Sequence, residues 1–532
     1  MTTPSKPTRE HSPVLWRLFG LFLATVFAFS AAPSILTAAD NANTVYSEAV
    51  EAHWKWNLDE AIRLYTRVIS LDPNHARAYF NRGVAYRSKG DEDRALADFT
   101  RAVSIAPDIQ DALYGRGLIY LHKKMFDKTV DDMNQVLKLE PKHAGALRVR
   151  AEASLALGNT DAAIKDLNEA LKLYPLDGES YYLRGSAYLK SQNIPQALSD
   201  LDRTLEMNPK HSGAWFKQGN ALFIQGKTDR AVESYNKAIN LDPNNAEAFN
   251  NRGYAQSVQG NLESAVKDLT RAIELDPKFI MALTNRADVY RRLERNEEAL
   301  QDYNRLPAIK KPDTVLLIER GRTLLDLGKF KEATEDFDRV LQSEPHETSV
   351  RTLRGRARLL SGHPKEALED LNAVLQADPD NADALVHRGM AHLEQKNYAA
   401  AVKDFSRSIQ ESPSRATPEM YYHLAIANLL NRNLDRAVDA FTNAIKLRPT
   451  YGLAYANRGV AYKDKGDYRQ ASQDFRKALS LLSKPSRKQA VTRLLDETNG
   501  LMRSSPQTDL DRVLSGGSRE TGSPEPDRPK FW

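Results

Sequence analysis

The chain contains no cysteine in 532 residues. This excludes a disulfide scaffold, a thiolate zinc site, a cysteine nucleophile and a lipid-modified N-terminal cysteine. The compartment stays open, because a chain without thiols suits an oxidising space and a reducing one equally. A dominant charge of one sign is also missing. The 75 Lys+Arg against 70 Asp+Glu give a formal +5, too little for nucleic-acid binding driven by bulk charge. Beyond Pro33 no segment is apolar enough to span a membrane. At 41% hydrophobic and 27% charged residues, most of the chain has the composition of a folded protein.

The N-terminal stretch is the exception. A Pro/Ser/Thr-rich start carries Lys6, Arg9 and Arg17, followed by a 15-residue apolar run from Leu18 to Ala32 and then Pro33. Thr37-Ala38-Ala39 precedes Asp40. This order of charged region, apolar core and small residues is that of a secretory signal, so residues 1–39 are expected to be removed on export, leaving a periplasmic or secreted protein. The other reading is an uncleaved anchor formed by residues 18–39.

Prolines fall at 73, 107, 141, 175, 209, 243 and 277, each 34 residues after the last, and the phase resumes at Pro345, Pro379 and Pro413. At the skipped position stands Lys311, beside Pro312, and the interval from Pro413 to Pro449 is 36. A fixed period of this length is the signature of a helical repeat array. Placing the proline at position 32 gives thirteen units from Ala42 to Pro485. Position 8 is always Gly or Ala, as in Ala49, Gly83 and Gly459. Position 20 is Ala in twelve units, with Thr129 the exception, and position 24 is large, as in Tyr65, Phe99 and Phe475. Small residues at 8 and 20 let two antiparallel helices approach closely, and the large one fills the space towards the next unit. Gly near position 15, as in Gly90-Asp91, ends the first helix. Proline ends the second.

The units, above all Ala76–Ile109 and Ala246–Phe279, closely resemble tetratricopeptide repeats. The resemblance implies an all-α, right-handed α-solenoid of thirteen helical hairpins spanning residues 40–485. Its concave groove, lined by the first helices, would hold a peptide or protein partner. Residues 486–503 continue as a capping helix with Val491, Leu494, Leu495, Leu501 and Met502 on one face, and residues 504–532, rich in Ser, Gly and Pro, form a disordered tail.

One departure from that family stands out. Position 7 is Arg in ten units (Arg82, Arg116, Arg150, Arg184, Arg252, Arg286, Arg320, Arg354, Arg388, Arg458), and position 23 is Asp in the same ten. The first, sixth and twelfth units lack both. Two residues that appear and vanish together within a unit point to an Arg–Asp bridge inside each hairpin rather than to a basic stripe for an acidic ligand.

Signals for catalysis fail on inspection. Gly226-Lys227-Thr228 lacks the earlier glycine and strand of a phosphate loop. His75, His143 and His211 recur two units apart, too far to share a metal, and read as turn residues. His387 and His392, five apart, carry no zinc-protease pattern. The expected function is therefore a non-catalytic interaction scaffold with no cofactor, no metal and no nucleic acid. The alternatives are a membrane-anchored regulatory, assembly or co-chaperone-like factor, or the substrate-recruiting subunit of an enzyme complex. By the resemblance, positions 2, 5, 6, 9 and 12 of each first helix face the groove. Amides and charges cluster there in the sixth to eighth units: Lys217, Asn220, Asn250, Asn251, Thr284, Asn285 and Asp288. Asn both donates and accepts, so such a row suits an extended backbone. A rival apolar strip runs through Val386, Met390, Tyr422 and Ile426.

Overall fold

The computed structural model describes residues 38–308 and 313–504. The expected signal segment, apart from Ala38 and Ala39, and the expected tail beyond Ser504 lie outside the described residues. Those described form 27 α-helices and no strand. They pair as thirteen hairpins of a first helix (A) and a second helix (B), in register with the 34-residue period. Ala76–Ser88 with Glu92–Ile105, and Ala246–Val258 with Leu262–Leu275, are typical. Helix A of every repeat after the first starts at position 1, from Ala76 to Gly452. The first helix, Ala38–Trp54, starts earlier, and Ala42 and Val45 are among its buried residues.

Each A–B turn requires a residue at positive φ. Gly90 (84°) and Gly466 (84°) satisfy this freely, whereas Lys124 (58°), Gln192 (60°) and Arg432 (62°) adopt it without glycine. Close helix approach is visible at position 8. A Cβ on Gly321 would lie 2.6 Å from Cε1 of Phe337, and one on Gly83 2.8 Å from Cε1 of Phe99. The position-20 alanines, such as Ala95 and Ala333, are fully buried beneath these rings.

Two irregularities have local causes. Helix B of the eighth repeat, Asn296–Arg305, is shorter than its 14-residue counterparts and passes into a 3₁₀ turn at Leu306–Ala308. Pro307 disfavours helix at Leu306 and has no N–H to continue the ladder. The 36-residue interval is absorbed by a 3₁₀ turn at Pro413–Arg415, after which Thr417 caps helix A of the twelfth repeat by accepting from the Met420 N–H at 3.2 Å.

The ten Arg–Asp pairs all form, within their own repeats. Nε donates to one carboxylate oxygen at 2.6–2.8 Å and Nη2 to the other at 2.5–2.9 Å. At the C-terminal end, helix Pro485–Ser504 buries Val491 and Leu494 against Phe475 and Leu482. Leu501 and Met502, expected on the same face, are instead exposed in its last turns.

The chain divides into two compact units, Met1–Ala221 and Leu222–Trp532, with the division inside helix A of the sixth repeat, Ser212–Ile224. In the first unit helices A of repeats one to five touch in succession; in the second, those of repeats seven and eight and of nine to thirteen do so. Neighbouring helices B make no comparable contact among the described residues. Within each unit helices A therefore lie on the inner side of the stack.

Candidate functional site

The inner face is built from helix A residues, and its polar groups fall into two kinds: those used by the fold and those left to a ligand. Histidines at position 34 belong to the first kind. Nδ1 of His75, His143 and His211 accepts from the N–H of Ala78 (3.1 Å), Ala146 (3.0 Å) and Ala214 (3.0 Å), capping the helix that follows. Each ring also packs on a position-5 tyrosine of the preceding helix A, with centroids 4.7 Å apart for Tyr46–His75, 4.9 Å for Tyr114–His143 and 4.4 Å for Tyr182–His211. Gly145 makes room for this arrangement, since a Cβ there would sit 2.8 Å from the Tyr114 hydroxyl.

The seven residues expected to bind a partner divide between the units. In the first unit Lys217 is half-buried, with Nζ 5.5 Å from the Phe216 ring centroid, and Asn220 is half-buried on the next turn. In the second unit the structure joins three of the amides to one another. Asn285 Nδ2 donates to Asn250 Oδ1 at 3.0 Å, and Asn250 Nδ2 donates to Asn251 Oδ1 at 2.9 Å. Asn251 in turn hydrogen-bonds the Tyr235 hydroxyl, which burial holds well above the ordinary tyrosine range. Asn250 is 1% exposed, so its amide is turned to its neighbours and not to a ligand. Thr284 is exposed but donates to the Ile280 carbonyl at 3.0 Å. Asp288 is exposed on the same helix.

The same rung recurs elsewhere: Asn81 donates to the Tyr46 hydroxyl at 2.8 Å and Asn457 to that of Tyr422 at 2.9 Å. At Asn81, Asn285 and Asn457 a position-6 asparagine thus ties its helix A to position 5 of the one before, whereas Asn251 reaches Tyr235 on the preceding helix B. The sequence signal was the hydrogen-bonding partner at position 5 of the preceding repeat. The rival apolar strip is packed rather than open. Tyr422 and Ile426 are 3% and 2% exposed, and Val386 and Met390 lie against the core around Phe405 and Ala427.

A further contact, unforeseen in the sequence, comes from the bridging arginines. In nine of the ten, Nη1 also donates to position 25 of the preceding helix B, as in Arg252 to Asn236 (2.6 Å) and Arg458 to Thr442 (2.9 Å). Among the described residues no group of three His, Asp or Glu is placed to hold a metal ion, and no helix is long and apolar enough to cross a membrane.

Comparison with known proteins agrees with this architecture. Family models described as tetratricopeptide repeat or TPR repeat match residues 57–109, 130–178 and 352–416, 111–143, 219–257, 246–279 and 452–484, 269–301, and 418–451. These segments make up more than half of the sequence, and the chain belongs to the tetratricopeptide repeat family. Among solved structures, MamA is 28% identical over 30% of this chain and 95% of its own, with a TM-score of 0.28. A tetratricopeptide repeat protein from Parabacteroides merdae is 21% identical over 48% of this chain and 98% of its own, at TM-score 0.39. The Cut9–Hcn1 hetero-tetramer of the APC/C is 14% identical over 86% of this chain and 96% of its own, at TM-score 0.39. No curated protein matches the sequence. Tetratricopeptide repeats are protein-interaction scaffolds, generally without catalytic groups of their own.

Proposed function

We propose that this chain is an exported, non-catalytic scaffold that holds a peptide or protein partner against the inner face of its helices A, in the cell envelope or outside the cell. The observation that carries the reading is the side-by-side contact of successive helices A in repeats one to five of the first unit and in repeats seven and eight and nine to thirteen of the second, which gives each stack an inner face of first helices. Lys217, at position 6 of the sixth repeat in the first unit, and Thr284 and Asp288, at positions 5 and 9 of the eighth repeat in the second, have at least part of their side chains open to solvent. The internal amide rungs support the same reading, because they fix the face before a ligand arrives and lower the ordering cost of binding. The charged start, the apolar run and Thr37-Ala38-Ala39 favour export over retention by residues 18–39. If that segment is kept, the chain is instead an anchored regulatory or assembly factor with the same groove.

The test is an affinity capture from the native envelope fraction, with mass spectrometry of bound proteins. It compares the natural chain with the triple variant Lys217→Glu, Thr284→Arg, Asp288→Lys. Capture is expected to be lost while helical content and melting stay unchanged. Equal capture by both proteins would place the partner on another surface.

A further inference from the structure

The A–B turn of the first repeat differs from the other twelve in what it presents to solvent. Each of the thirteen turns holds one residue at positive φ. In twelve it is glycine or a polar residue such as Glu294 or Lys396; in the first it is Trp56, at 61°. A bulky side chain disfavours this region of backbone space, so tryptophan is strained where glycine would sit freely. Core packing does not require it, since Trp56 is 61% exposed. Trp54, the last residue of the first helix, is 74% exposed. The turn itself is fixed: the Trp56 N–H donates to the His53 carbonyl and the Asn57 N–H to that of Ala52, both at 2.9 Å. A strained, exposed ring on a fixed frame points to a use for the side chain.

The charges around the two rings are closed in pairs. Lys55, between the tryptophans, bonds Glu51 at 2.5 Å, and Arg63 bonds Glu60 at 2.5 Å. Lys89, in the A–B turn of the second repeat, pairs with Asp59. Size then decides the kind of partner. Two indoles bury about 300–500 Å² together, whereas each side of a stable protein interface takes about 800 Å² of matching surface. A lipid interface needs no matching shape. It takes up the apolar ring while the indole N–H stays among the headgroups, which is why tryptophan is enriched there. The chain outside the described residues agrees with this: the apolar run Leu18 to Ala32 precedes the helix that ends at Trp54, so export would bring this end of the chain to a membrane.

We infer that Trp54 and Trp56 form a contact for a lipid surface, seating the first A–B turn at the headgroup level of a bilayer. The contact is separate from the groove and does not rest on it. It needs no retained anchor, since both residues stay in a chain that begins at Asp40. With the nearby charges paired, the indoles carry the attraction and neutral lipid is sufficient. Two shallow aromatic side chains give reversible association, unlike the insertion of a spanning helix.

The probe is a vesicle of phosphatidylcholine, with or without phosphatidylglycerol, sedimented with the chain from Asp40, which keeps all thirteen hairpins. Phosphatidylcholine alone is expected to bind it. Trp54→Ala should weaken partition about tenfold, and Trp56→Gly by a similar factor, as each withdraws one ring from the lipid. Melting should not fall in Trp56→Gly, because glycine relieves the strained backbone. Leu176→Ala, which removes an 85% exposed apolar side chain from the fourth repeat, should leave partition as it was. Brominated phosphatidylcholine should quench the natural chain more than the double variant of these two tryptophans, in which Trp215 and Trp532 remain. No binding to either vesicle, or equal binding by the double variant, would overturn the contact. So would an equal loss in Leu176→Ala, which would mean general apolar adhesion, or a lower melting point in Trp56→Gly with partition unchanged. Binding that requires phosphatidylglycerol and survives both substitutions would be diffuse charge, and would overturn it too. Lys217, Thr284 and Asp288 lie outside the first repeat, so their triple variant should partition as the natural chain does, whatever becomes of the groove.

Discussion

Ten guanidinium groups each join their own hairpin, and nine of them also grip the hairpin before it. Among the described residues no helix B precedes the first repeat, which has Glu48 and Leu64 in place of the pair. In the sixth repeat Gln218 keeps the between-repeat bond, donating to Asp202 at 2.6 Å, without the fork. The aspartates are nearly buried, with side chains 2–9% exposed, so removing an arginine leaves a carboxylate stranded. Arg252→Ala is expected to cost about 1–3 kcal/mol. Replacing Arg252 and Asp268 together by Leu and Ala, the pair at the twelfth repeat, should cost less, and a double-mutant cycle in urea reads the coupling. Glycine at position 8 is tested by contrast. Gly321→Ala puts a Cβ 2.6 Å from the Phe337 ring, so it should destabilise despite alanine's helical preference of about 1 kcal/mol. Gly500→Ala, with nothing within 4 Å, should stabilise by up to about that amount in the same assay. The within-repeat bridge was legible because Arg and Asp vanish together. The grip on position 25 was not, because Asn134, Thr270 and Asp338 serve there interchangeably and leave no single-letter trace.

Among the elements, helices A of the eleventh and twelfth repeats carry a pH dependence. Burial lowers the pKa of His387, to about 4, and also lowers those of His392 and His423. Nδ1 of His392, like that of His387, is buried without a partner, and its Nε2 is 3.9 Å from Asp404. In the unfolded chain these rings titrate near 6.5. Below that pH the unfolded state takes up protons that the folded state refuses, so stability falls from about pH 6.5 and the loss is complete once pH passes the folded values. For His387 alone the loss is on the order of 3 kcal/mol between pH 7 and 4. His387→Leu should flatten the fall, as read by urea titrations at pH 7 and 5, and an unchanged slope would assign the effect elsewhere. Helix lengths and turns were legible from proline phase and small-residue spacing. The truncation at Pro307 was hidden, because the period alone placed the next break at Lys311 and Pro312.

For the molecule as a whole, stability is set by contacts between neighbours, and the first and thirteenth repeats are special because each has one repeat beside it among the described residues. The period made the array plain in the sequence. The candidate binding face was only half legible, because position and residue type cannot say which amides the fold consumes. Asn250 and Asn285 look like ligand groups in the sequence and serve as a rung in the structure. At the N-terminal end, cleavage before Asp40 removes Ala38 and Ala39 from the first helix and keeps its buried Ala42, Val45 and Ala49. N-terminal sequencing of the native protein is expected to begin at Asp40, and a chain retaining Leu18 to Ala32 would mean an anchor. At the other end, helix Pro485–Ser504 is the neighbour that the thirteenth repeat would otherwise lack. It covers Phe475, Ala478 and Leu482 with Val491 and Leu494, and Lys463 pairs with Glu497 at 2.6 Å across the same contact. Ending the chain after Leu482 should therefore expose this apolar surface and uncouple the last repeat first. Amides of helices Gly452–Lys465 and Tyr468–Leu481 should exchange much faster in the truncated protein, while those of the second to fifth repeats keep their protection. Uniform loss of protection along the chain would mean that the array melts as one unit, and nearest-neighbour coupling would not describe it.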